Sequence, residues 1–152
     1  MFRSLALSAA LAVALAAGVS ARDRHPQHDL TATSHHKTVR ATLGSHCTPS
    51  EDTMVCADST YPLETEKRLP VHARGRIKLE FRAAPEEIHP ELRDRRSRAI
   101  VELTPRGDGR EWRVRLPRPL PRGMDRLGVF VGYRRGSADF EVDLSRHRHR
   151  HR

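Results

Sequence analysis

Between Arg76 and Arg82 apolar and charged residues alternate without a break, so in an extended chain Ile77, Leu79 and Phe81 share one face and the charges the other. The same two-residue period returns in Glu111–Leu116 and in Ala138–Leu144. From Arg126 to Tyr133, Leu127, Val129, Val131 and Tyr133 fall on one side and Gly128, Phe130 and Gly132 on the other, while Arg98–Leu103 is a shorter apolar run whose phase stays open. These five stretches predict strands. A sixth, Glu86–Leu92, is flanked and interrupted by Pro85 and Pro90, which confine it to a sheet edge or turn it into a short helical turn.

Turn sequences separate these stretches. Thr104–Gly109 and Arg134–Ser137 have hairpin length and composition, whereas Pro117–Gly123 has proline at alternate positions and predicts an extended crossover between sheets. Short strands, hairpins and one stiff crossover predict an all-β fold, a small antiparallel β-sandwich over residues 46–145. In pattern it resembles immunoglobulin-like sandwiches in general. Its inward positions are Ile77, Leu79, Phe81, Val101, Leu103, Trp112, Val114, Leu116, Leu127, Val129, Val131, Tyr133, Phe140, Val142 and Leu144. Trp112, the one tryptophan, opens a cleanly alternating strand and is the expected core anchor.

Ahead of this region the chain changes character. Residues 1–21 have the zones of a secretory signal: Arg3, the apolar run Leu5–Ala17 and the small-residue site Val19-Ser20-Ala21. The expected localisation after cleavage is therefore extracytoplasmic, either secreted or held in the periplasm or cell envelope, with no transmembrane segment left in the mature chain. Residues 22–45 are rich in His, Thr, Arg and Asp and predict a flexible arm. From Cys47 to Pro70 the chain is turn-rich, and Tyr61, Leu63, Leu69, Met54 and Val55 are expected to pack onto a core built elsewhere. Cys47 and Cys56 in an exported chain predict a disulfide that staples a local loop around Thr48–Asp52. A zinc site beside His46 is disfavoured by the spacing and by the lack of a second pair.

The composition turns attention from catalysis to surfaces. No G-x-S-x-G, H-E-x-x-H, P-loop or G-x-G-x-x-G sequence occurs, so a non-enzymatic protein without a cofactor is expected. Glu86, Glu87, Glu91 and Asp94 lie among Arg93, Arg95, Arg96 and Arg98 and read as a solvated charged loop. Arg106-Gly107-Asp108 spells an adhesive tripeptide at a predicted hairpin tip, but Gly-Asp-Gly is also what a tight turn needs.

The formal net charge is +9, with 28 basic against 19 acidic residues. Arginines on strand exteriors, Arg76, Arg82, Arg113 and Arg115, suit phosphates or carboxylates as well as water. The tail Arg146, His147, Arg148, His149, Arg150, His151 and Arg152 has no apolar face and is expected to stay outside the fold as a cationic arm whose charge rises as its histidines protonate near pH 6.5. The expected partner is an anionic cell-wall polymer or lipid surface; genomic nucleic acid is not expected on location. The alternative is weak capture of zinc or copper by the histidine-rich ends, through His147, His149 and His151 or through His35 and His36. The isolated His72 and His89 read as surface residues.

Overall fold

The computed structural model describes residues 28–146. Twelve strands run in chain order: β1 Leu30–Ser34, β2 Lys37–Arg40, β3 Thr42–Ser50, β4 Thr53–Ala57, β5 Arg68–Val71, β6 Arg76–Phe81, β7 Glu87–Arg93, β8 Ala99–Glu102, β9 Pro105–Asp108, β10 Glu111–Arg115, β11 Arg126–Gly132 and β12 Ser137–Arg146. They form a five-stranded sheet in the order β2-β1-β6-β10-β9 and a seven-stranded sheet in the order β4-β3-β12-β11-β7-β8, with β5 alongside β12. All pairings are antiparallel except β5 with β12. The two sheets pack face to face as a small β-sandwich, and among the described residues no helix is long and apolar enough to cross a membrane.

The alternating stretches form the centre of this sandwich. Ile77, Leu79 and Phe81 of β6 and Phe140, Val142 and Leu144 of β12 are buried, as are Leu127, Val129 and Val131 of β11. Each such side chain contributes about 1.5–3 kcal/mol by leaving water. Residues 117–123 carry the chain from β10 in one sheet to β11 in the other, and Leu120 and Met124 at this crossover join the core.

Four expectations about elements are corrected. Residues 28–45, read as part of a flexible arm, supply β1, β2 and the start of β3; Leu30, Ala32 and Val39 are core residues, and β1 pairs along β6 from Leu30 opposite Phe81 to Thr33 opposite Lys78. The remainder of that arm, 22–27, and the leader lie outside the described residues. Glu86–Leu92 is a strand, β7, and an inner one, between β11 and β8. Pro90 is tolerated because its carbonyl accepts from the Leu103 N–H at 2.8 Å. The two backbone polar groups of a strand residue point the same way, so its missing donor faces the end of the short β7–β8 ladder and the β11 ladder loses nothing. Met54 and Val55, expected against the core, are exposed on β4, although Leu63 and Leu69 from the same segment are buried. Arg146, placed in the tail, is the last residue of β12, and its Nη2 donates to the Pro121 carbonyl.

Trp112 is the fifth correction. Its phase is as expected, with Val114 and Leu116 buried beyond it, but Trp112 sits beside the β9–β10 turn, half-buried, and its Nε1–H donates to the Gly109 carbonyl at 3.1 Å. It caps the core and does not anchor it. Trp112→Ala is therefore expected to cost about 1–3 kcal/mol and leave the domain folded, which urea unfolding of the variant will measure.

A candidate anion-binding face and a buried charge network

Alternation in β6 and β10 sends the apolar side chains inward and leaves the charged ones on the outer face of the five-stranded sheet. The register then decides which charges meet. Arg76 lies opposite Arg115, Lys78 opposite Arg113, and Arg113 opposite Arg106 on β9. One step along, Glu80, Glu111 and Asp108 face one another across the same three strands. The outer face is thus a ladder of cationic rungs ended by an acidic one.

The acidic rung neutralises only its immediate neighbours. Lys78 Nζ sits 3.2 Å from Glu80 and 3.3 Å from Glu111, and Arg113 Nη2 is 2.9 Å from Glu111. Hydrogen bonding to Glu80 and Glu111 holds the Lys78 ammonium above its ordinary pKa, and the hydrogen bond from Lys78 holds the Glu111 carboxyl below its own. Arg76, Arg115 and Arg106 make no ion pair among the described residues, nor do Arg74 and Arg118 beside them. Like charges directly opposite one another across a ladder repel, and among the described residues no carboxylate is paired with Arg76 or Arg115.

These side chains border one cleft of about 1210 Å³ at the edge where β8, β9 and β10 meet the start of the crossover. Its rim carries six arginines, Arg74, Arg76, Arg106, Arg113, Arg115 and Arg118, against Glu102, Asp108 and Glu111. Guanidinium groups present several donors in a fixed plane and suit phosphate, sulfate or carboxylate oxygens. Arg76, Arg113 and Arg115 were legible as exterior strand arginines. Arg74 and Arg118 lie in segments that read as turn or linker, and Arg106 reads as part of the Arg106-Gly107-Asp108 tripeptide and not as an exterior strand arginine. Arg82 lies beyond the acidic rung and does not border the cleft. The Arg106-Gly107-Asp108 tripeptide is not at a hairpin tip: it forms most of edge strand β9, and the turn itself is Gly109-Arg110.

The other expected sites are scattered. His35 and His36 form the β1–β2 turn, where the His35 ring meets that of His72 edge-on at 4.4 Å, and His147, His149 and His151 lie outside the described residues. Among the described residues no three His, Cys, Asp or Glu side chains gather around a metal-sized site. His89 is exposed, 3.4 Å from Glu87, but His28 is buried against the His46 and Tyr133 rings. Cys47 and Cys56 form the disulfide, joining β3 to β4 across the Glu51-Asp52 turn.

The acidic and basic residues near Glu91 depart furthest from expectation. Rather than a solvated loop, Glu91 and Arg93 lie on β7, and Arg93 crosses the outer face of the seven-stranded sheet, buried. Its Nε donates to Glu91 at 2.7 Å, and Nη1 and Nη2 each reach Asp139 on β12 at 2.9 Å. Glu141, fully buried, accepts from Arg93 Nη1 at 3.3 Å and from Arg126 Nη1 at 2.9 Å. Burial works to lower the Arg93 pKa, yet the hydrogen bonds and charge of Asp139, then Glu91, outweigh it and hold the guanidinium above its ordinary value.

The segment between β4 and β5 closes over this network. Tyr61 Oη donates to Asp139 at 2.5 Å and accepts from the Ser45 N–H at 3.2 Å, while the Leu63 N–H donates to Glu141 and its carbonyl accepts from Arg126. Two glycines make room. A Cβ on Gly128 would lie 2.1 Å from Arg93 Nε, and one on Gly44 would lie 2.3 Å from Tyr61 Oη.

Burial raises the Tyr61 pKa, aided by its bond to Asp139, and burial raises that of Tyr133 to about 12. These are the chain's only tyrosines. A group whose pKa rises on folding stabilises the fold in full below its unfolded value, and that contribution is lost as pH climbs through the folded one. Absorbance at 295 nm is therefore expected to show neither tyrosine ionising at its ordinary pKa near 10, with Tyr133 ionising near pH 12 and its contribution to stability lost as pH climbs from about 10 to 12.

No protein-family model, no curated protein and no solved structure matches the chain. The sandwich is accordingly defined by its own strand order, and its chemistry by the residues above.

Proposed function

We propose that this protein is an exported, non-enzymatic binding protein of the cell envelope, and that it holds an anionic polymer or an anionic lipid surface against the arginine-bearing face of its five-stranded sheet. The observation that carries this reading is the facing of Arg76 with Arg115 and of Arg113 with Arg106 along a single cleft. Arg113 already has Glu111 beside it, whereas Arg76 and Arg115 repel with no carboxylate paired to either among the described residues, so a bound phosphate or carboxylate group relieves that repulsion. The disulfide supports an oxidising compartment.

The tail extends the same surface. β12 ends at Arg146, which is tied to Pro121, three residues along the crossover from Arg118 on the cleft rim. Residues 147–152 follow Arg146 in the sequence and carry three further arginines and three histidines. As pH falls through about 6.5 the histidines take up protons, so affinity for an anionic surface rises.

Cosedimentation with vesicles of anionic lipid, and isothermal titration with soluble poly(glycerol phosphate), each at pH 7.5 and 5.5, test this. Binding is expected to strengthen severalfold at pH 5.5 and to weaken on removal of residues 147–152. Binding that persists unchanged in 1 M salt would rule out the reading, since charge contacts are screened there.

A further inference from the structure

The exposed edges of the two sheets are not alike. In the five-stranded sheet, β2 carries Lys37 and Arg40, and β9 opens with Pro105 and carries charges. In the seven-stranded sheet, β8 has only four residues and its register against β7 is broken. Charge, proline and irregularity are the devices that stop an edge from accepting another strand. β4 has none of them. Its residues Thr53–Ala57 are uncharged, keep unbroken register with β3 and are exposed throughout, with Met54 49% and Val55 55% exposed.

The backbone of β4 is also set to pair. The Cα atoms of Cys47 and Cys56 are 4.0 Å apart, the close spacing of a non-hydrogen-bonded antiparallel pair. The N–H and C=O of Cys56 therefore point away from β3, and so do those of Met54 two residues earlier. We propose that β4 is a docking edge that takes up an extended peptide strand of another protein, apolar or β-branched at its centre and basic at both ends. The charge at the two ends of β4 selects this occupant. Glu51 and Asp52 precede it and Asp58 follows it. A second copy pairing antiparallel about Val55 would set Asp52 against Asp58 at both ends, a repulsion that a basic-ended strand converts into attraction. β4 is the opposite edge of its sheet from β8, which borders the arginine cleft, so a strand docked on β4 leaves the cleft open.

Fluorescence anisotropy with a labelled peptide Arg-Arg-Val-Thr-Val-Thr-Val-Arg-Arg tests the proposal on the purified full chain. Saturable binding is expected. It should weaken at least tenfold when every arginine of the peptide is replaced by glutamate, and equally when its central valine is replaced by proline. Met54→Pro, which removes an outward N–H and leaves the β3 ladder intact, and Val55→Lys, which adds an edge charge, should each weaken it at least tenfold. Bound peptide should slow hydrogen exchange at the Met54 and Cys56 amides. Equal binding of the proline-interrupted peptide would overturn the proposal in favour of charge alone. A dimer that dissociates on Val55→Lys and takes up no peptide would make a second copy the occupant. A tenfold gain in peptide affinity on deleting residues 22–27 would assign the edge to the chain's own N-terminal segment.

Discussion

Replacing Arg93 by alanine is expected to destabilise the fold by about 3–5 kcal/mol, a large part of the stability of a domain this size. The loss comes from what stays behind. Among the described residues Asp139 keeps only Tyr61, and Glu141, fully buried, keeps Arg126 and the Leu63 N–H, so carboxylate charge is left in a site that has lost its central cation. Gly128→Ala should act in the same direction, because the added methyl occupies the path of the guanidinium. Urea unfolding monitored by far-UV circular dichroism measures both. A loss below about 1 kcal/mol for Arg93→Ala would show that the carboxylates find water instead, and that the Tyr61–Leu63 segment does not seal them.

Leu30→Ala is the second large effect, expected at about 2–5 kcal/mol. Leu30 is fully buried opposite Phe81, and Ala32 lies between Leu79 on β6 and Val39 on β2. Truncating Leu30 opens a cavity in the middle of the sandwich. A change within about 0.5 kcal/mol would return β1 to the status of a dispensable arm.

These two sites mark the limits of what the sequence discloses. The central strands were legible because each buries one face and solvates the other, so β6, β10, β11 and β12 carry their period openly. β1 is hidden because its inward residues are Leu30, the small Ala32 and the polar Ser34 and its outward ones are threonines, a contrast too weak to stand out among histidines. β7 is hidden by Pro90, whose harmlessness depends on which neighbour its nitrogen faces. Glu91 and Arg93 read as solvated because charge predicts exposure. The opposite outcome needs Asp139 and Glu141 to arrive from a strand some 46 to 48 residues away, and Tyr61 and Leu63 to close above them. For the candidate site, the exterior arginines of β6 and β10 were legible one by one. That Arg76 faces Arg115 depends on register, which periodicity within one strand does not encode.

The proposed function requires those facing arginines to hold anionic groups. Its most direct measurement is the salt dependence of binding to poly(glycerol phosphate), by isothermal titration, for the native protein and for Arg76→Gln/Arg115→Gln. Each phosphate contact contributes about 0.7 to the slope of log affinity against log salt for a flexible polyanion. The double variant is expected to bind at least tenfold more weakly at low salt, with a slope shallower by roughly 1 to 2. An unchanged affinity and an unchanged slope in that variant would contradict the claim and move the anion contacts elsewhere on the molecule.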